Sequence, residues 1–289
     1  MSVEGPGGLN EFSEQETGPN RLVKSAEVMI KSLFRTEIVG AEKFKEIPEG
    51  KKVIFATSHM TEYDVPIAIA VLGENYKNKD LKVVDQDSHH KFFGGEKPVF
   101  LGLKIAGMKN FHSVDVKGIG NERISRFNPK NFNPIKESLD KGSPVVIASY
   151  LDVVHKGPSW ELPDRIGNGA AYLAQITEDA VVVLVAVDIQ ADEPFGVGKI
   201  DVMHVVKNRR PRVNVVVGSP MELKKIEGID EFTQFLRKRA HKVDVIYEGK
   251  ERFKEIKLAL QNESGQIINA IADLLPEEKR GRWGTTKEK

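Results

Sequence analysis

Residues 51–72 are KKVIFATSHMTEYDVPIAIAVL, and the fold follows from how this stretch is divided. Lys52 to Thr57 is a short apolar run with β-branched residues, the pattern of a buried strand. Ser58 and His59 end the run. Asp64 follows five residues after the histidine, then Pro66, then the apolar run Ile67 to Leu72. Proline fits the first turn of a helix, so a helix is expected to begin near Val65. This division puts His59 at the carboxyl end of a strand and Asp64 at the mouth of a helix. In open α/β sheets that edge is where ligands bind.

The spacing constrains any contact between the two. Residues five apart on a continuous helix point about 140° apart, from 3.6 residues per turn. A His59–Asp64 contact therefore needs a turn between them, and the strand-to-helix junction supplies one. Asp64 could then hold one imidazole nitrogen and leave the other as a base. In the alternative, Asp64 only caps its helix and His59 is an ordinary strand-end residue.

The block Ser58-His59-Met60-Thr61-Glu62-Tyr63-Asp64-Val65-Pro66 resembles the H-x-x-x-x-D block of the glycerolipid acyltransferases, which include the 1-acylglycerol-3-phosphate acyltransferases. The resemblance runs roughly from Ile30 to Lys225 in the order and layout of the later blocks. It implies an α/β fold with a mixed, mostly parallel sheet flanked by helices. It also implies that His59 is a general base and Asp64 its partner. No metal and no bound cofactor are implied, only acyl-CoA or acyl-carrier protein as co-substrate.

Composition sets the bounds. The chain has 289 residues, 40% of them apolar, enough for one sizeable core. A net charge of +1 gives no global field toward nucleic acid or an anionic membrane. Without cysteine there is no disulfide, thiolate metal site or cysteine nucleophile. Residues 1–20 are polar, acidic and Gly-rich, expected as a disordered tail without a secretory signal. No stretch approaches the eighteen or so apolar residues of a membrane span. The expectation is a cytoplasmic protein, soluble or peripherally attached to a membrane.

Residues 21–275 are expected to form the acyltransferase-like domain, and 276–289 a charged tail. Leu22, Val23, Ala26, Met29, Ile30, Leu33 and Phe34 recur at helical spacing. That helix is expected to dock on the core; lying on a membrane surface is the alternative. A short strand, a turn at Gly40 and a loop follow. Leu81–Asp85 is a further strand, and Asp85-Gln86-Asp87-Ser88-His89-His90 is taken as a solvated loop, since its spacing matches no metal motif. Phe92 to Met108 is apolar enough for a helix or lid near an acyl chain.

The departures from the family pattern concern the acceptor. Gly107 and Phe111 fit the second block, but Ser113, Val114 and Asp115 stand where the family's phosphate-binding arginine is expected. Lys117, Arg123 and Arg126 are candidate substitutes. Pro144–Tyr150 is a strand, yet Ala148-Ser149-Tyr150-Leu151-Asp152 replaces the family's P-E-G-T-R. Arg165 opens a small-residue helix like the one that follows that block. Val181–Asp188 is an apolar strand; Asp201–Val206 and Arg212–Pro220 are two more, joined by a basic hairpin at Lys207–Arg212 that is taken as a solvated turn. Glu231–Leu275 is helical.

Two functions follow. One is an acyltransferase moving a fatty-acyl group to a hydroxyl or amine acceptor, with a neutral or lipid-like acceptor favoured by the missing arginines. The other is a catalytically degenerate relative that binds a lipid or a partner. A serine hydrolase is disfavoured because there is no G-x-S-x-G elbow.

Overall fold

The computed structural model describes residues 27–28, 30–58, 60, 64–75, 81–86, 111–114, 129–149, 162, 166–190, 210–240 and 250–284. The segments 1–20, 87–110 and 201–206 lie outside these, as does most of the basic hairpin.

Seven described strands form one sheet in the order β1-β7-β6-β2-β5-β3-β4. They are β1 (Arg35–Val39), β2 (Lys52–Thr57), β3 (Lys82–Gln86), β4 (Phe111–Val114), β5 (Val145–Ala148), β6 (Ala180–Gln190) and β7 (Arg212–Met221). β6, β2, β5, β3 and β4 run parallel, as do β1 and β7 with each other, and β7 runs antiparallel to β6. The sheet is therefore mixed and mostly parallel.

The central strands are buried on both faces, and their sequences show it as unbroken apolar runs rather than alternation. In β6, Val181 through Ile189 are all buried. Successive side chains still go to opposite faces. Val181, Val183, Val185 and Val187 join Val53 and Phe55 in one core. Val182, Leu184 and Ala186 join Ile54 and Ala56 in the other.

The first core is completed by α1 (Asp64–Asn75), with Ile30 and Phe34 from the N-terminal helical turn. Helix α1 is apolar almost all round, and Asp64 through Leu72 are buried. The second core is completed by α2 (Asn133–Asp140), α3 (Gly169–Ile176), α4 (Ile229–Ala240) and α5 (Lys250–Asp273). Helix α3 ends where the Lys225 ammonium donates to the carbonyls of Ala174 at 3.0 Å, Gln175 at 3.2 Å and Thr177 at 3.0 Å. Burial pushes the Lys225 pKa down, against nearby acidic charges.

Most sequence expectations hold where they can be seen. Ile30 and Phe34 dock on the core, and Arg210 ties down the last turn of their helix through the Lys31 and Phe34 carbonyls. Arg210 and Arg212, the described arginines of the basic hairpin, thus have local roles; Arg212 faces Glu37 at 3.9 Å. Gly40 makes the turn after β1 at φ +80°, where a Cβ would lie 2.4 Å from the Val217 carbonyl oxygen. Only glycine tolerates both the left-handed backbone and that approach.

The charged C-terminal segment is a revision. Residues through Gly284 dock on the fold instead of trailing as a tail. The Lys279 ammonium pairs with the buried Asp188 carboxylate and donates to the Ile189 carbonyl at 2.9 Å, and the Leu162 amide donates to the Lys279 carbonyl at 2.9 Å. One of the charges that suggested solvent, Lys279, is taken up by a buried carboxylate, while Glu277, Glu278 and Arg282 stay exposed.

Glu263 on α5 gives a stability prediction. It is 7% exposed, and its Oε2 has no hydrogen-bond partner. Burial pushes its carboxyl pKa up, opposed by the Lys224 backbone N–H and the Lys224 charge. Above the ordinary value of 4.5 the unfolded chain gives up this proton while the folded chain retains it. Stability from this group is thus full below the unfolded pKa and falls as pH rises to the folded one. Glu263→Gln keeps an acceptor and removes the charge. It is expected to be more stable than wild type at pH 7, with the advantage gone at acid pH. Urea denaturation across pH checks this; a variant less stable at pH 7 would refute it.

Candidate active site

The sheet's connections diverge beside β2. The chain leaves β2 through α1 toward β3, on the β5 side, whereas the chain leaving β6 goes to β7 on the other side. In open α/β sheets, ligands bind at the carboxyl ends of the strands beside such a switch point. Ser58, Asp64 and Asp188 all lie at this edge, and all are buried.

Asp64 begins α1, and its carboxylate bonds residues that precede the helix. Oδ2 turns back to accept the Met60 backbone N–H at 2.7 Å, and the Ser58 hydroxyl donates to the same oxygen at 3.4 Å. Ser58 and Met60 are the residues on either side of His59 in the sequence. At 0% exposure the carboxylate is shielded from water.

β2 ends for a reason visible in its hydrogen bonds. The Ser58 amide still donates to the Val185 carbonyl at 3.0 Å, continuing the parallel register Thr57↔Val185. In that pattern the next bond would run from the Val187 N–H to the Ser58 carbonyl. Instead the Ser58 hydroxyl accepts it, at 2.9 Å. The backbone has left the ladder and the side chain completes it. The sequence marks Ser58 only as the residue before a histidine, so this role escaped the sequence reading. A hydroxyl at a strand end, able to donate and accept at once, was the available signal.

On the β5 side, the Ser149 amide donates to the Thr57 carbonyl at 3.1 Å and the Gly167 amide to the Ser149 carbonyl at 2.9 Å. This brings the start of α3 next to β2. Ser149 Oγ and Asn168 Oδ1 are buried there without a hydrogen-bond partner. Buried polar groups are rarely left so, and a polar ligand atom or water at this edge would satisfy them.

Of the residues singled out from the sequence, Asp64 lies buried beside the carboxyl end of β2. His59, Gly107, Lys117, Arg123, Arg126 and Arg165 lie outside the described residues. Phe111 opens β4, and its backbone is level with Phe55 through Val83 and Val146. It is three strands from β2, about 14 Å at ordinary strand spacing, and is not brought to Asp64. That β4 forms at all was not expected: four residues at the edge of the described sheet carry little periodicity. Among the described residues no group of three or more His, Asp or Glu could hold a metal ion, and no helix is long and apolar enough to cross a membrane.

Fold and site together define an α/β protein with a buried carboxylate at the switch point of a mixed sheet. No family model matches the sequence, and no curated protein matches it. Among solved structures, the crystal structure of a 1-acyl-sn-glycerophosphate (LPA) acyltransferase, PlsC, from Thermotoga maritima is similar over 78% of this chain and 80% of that one. The identity is 12% and the TM-score 0.41, so the functional reading rests on this chain's own residues.

Proposed function

We propose that this chain is an acyltransferase that moves a fatty-acyl group from acyl-CoA or acyl-carrier protein to a hydroxyl or amine acceptor. His59 takes the proton from the acceptor as its oxygen or nitrogen attacks the thioester carbonyl. The new ester or amide bond forms, the C–S bond breaks, and the proton passes from His59 to the departing thiolate. Asp64 holds the imidazole in the tautomer that presents a bare nitrogen to the acceptor and stabilises the imidazolium.

The observation that carries this reading is the direction of the Asp64 carboxylate. A buried carboxylate is costly unless it is paired and hydrogen-bonded. This one turns away from its own helix, onto the two residues that flank His59. The H-x-x-x-x-D resemblance supplies the chemistry such a carboxylate would serve. The unpartnered Ser149 hydroxyl and Asn168 Oδ1 support a neutral polar acceptor. The work of such an enzyme belongs to lipid metabolism, in the cytoplasm or at a membrane surface.

Radiolabelled acyl-CoA and acyl-carrier protein, offered with a panel of acceptors, test the proposal. Transfer onto a neutral lipid hydroxyl or an amine is expected to exceed transfer onto lysophosphatidic acid. Robust transfer onto lysophosphatidic acid would restore Lys117, Arg123, Arg126 or Arg165 as phosphate ligands. Lipid bound in the crevice with no transfer to any acceptor would favour the degenerate binding protein.

A further inference from the structure

We infer that Ser58 is a positioning residue that fastens the Asp64 carboxylate to strand β6. The inference rests on the acyltransferase reading for its functional consequence, but its geometry stands apart from it. Ser58 is fully buried and its hydroxyl has a bond on each side. Oγ accepts the Val187 N–H at 2.9 Å, and its own proton points to Asp64 Oδ2 at 3.4 Å. A hydroxyl whose lone pair is engaged by a backbone amide has fewer directions left for its proton, and here one of them holds the carboxylate.

The contact with Asp64 is long for an O–H···O bond, as catalytic hydrogen bonds often are before substrate binds. Its anchor does not move easily. Val187 lies in the buried run of β6, and the next residue, Asp188, is clamped by Lys279. The Met60 amide holds Oδ2 from a residue next to His59 in the sequence. Ser58 adds a tie to a second strand, so that the carboxylate keeps its place if the turn shifts when substrate enters. A merely structural Ser58 would complete the β2–β6 ladder and have no bearing on turnover.

Ser58→Ala and Ser58→Thr separate the two roles. Alanine removes both bonds; threonine keeps the hydroxyl. The steady-state prediction is that Ser58→Ala lowers kcat about tenfold, as for one hydrogen bond to a charged group. KM for donor and acceptor stays near wild type, and Ser58→Thr recovers most of kcat. Equal kcat in wild type and Ser58→Ala, or a fall in kcat that Ser58→Thr shares in full while folded, would overturn the inference. Crystal structures of wild type and the variants decide it independently of activity. The wild-type and threonine proteins are expected to keep the hydroxyl on Asp64, and the alanine protein to show the carboxylate displaced or in several rotamers. If Ser58→Ala does not fold, the wild-type and threonine structures carry the decision, and a hydroxyl turned away from Asp64 in wild type would refute it. A wild-type protein with no transfer activity would sink the acyltransferase reading and leave the structural comparison to judge Ser58.

Discussion

His59→Ala is expected to lower the rate of acyl transfer by about 10²–10⁴-fold, the usual contribution of a positioned general base. The loss should fall on kcat, because proton removal from the acceptor is needed only as the thioester is attacked. Urea unfolding is expected to be unchanged. The described bonds of Asp64 go to the Ser58 hydroxyl and the Met60 amide, and both survive the substitution. Steady-state kinetics beside denaturation curves check the pair of expectations. A variant that unfolds easily and is inactive for that reason would say nothing for His59 as a base; one that folds and still turns over normally would count directly against it.

The second large effect is at Asp64. Asp64→Asn is expected to reduce kcat by up to about 10⁴-fold while the protein stays folded. The asparagine oxygen can still accept the Met60 N–H, so the turn is kept. The other side-chain atom is then an amide nitrogen, a donor where the imidazole needs an acceptor. His59 would settle in the opposite tautomer, with its proton on the nitrogen that should receive one. Asp64→Leu provides the contrast. It leaves the buried Met60 N–H without a partner, at a cost of about 1–3 kcal/mol in stability. Folded and inactive for asparagine, destabilised for leucine, is the pattern that separates the charge from the bond. Full activity in Asp64→Asn would show that the carboxylate is only a structural tie.

Much of the sheet was legible because its signals are local. The run Lys52–Thr57 is a strand in the structure with the same bounds, since an apolar β-branched run between polar turns has few other uses. The helix after it starts at Asp64, one residue earlier than Pro66 suggested. That single residue matters, for Asp64 has helical backbone while its carboxylate turns back from the helix. Gly142 closes α2 at φ +81°, as a glycine placed after LDK predicts.

What the sequence hid depends on partners far along the chain. Ser58 meets Val187, 129 residues later, and Asp188 meets Lys279 after a further 91. No local pattern distinguishes a lysine that will be buried on one carboxylate from its solvated neighbours in PEEKRGR. The exchange of backbone carbonyl for side-chain hydroxyl at the end of β2 likewise needs the register of β6 to be seen. The strand before His59 and the helix after it were legible in the sequence. The sequence could not give the atom that joins them to the sheet.

The account stands on the Asp64 carboxylate being held in place for His59. A high-resolution crystal structure of the wild-type protein measures this most directly, through the distance from the His59 ring nitrogens to the Asp64 oxygens. One nitrogen is predicted at roughly 2.6–3.2 Å from a carboxylate oxygen, with the other facing the crevice at the carboxyl ends of β2 and β6. A His59 ring turned out of the crevice, farther from Asp64 than one bridging water spans, would contradict it.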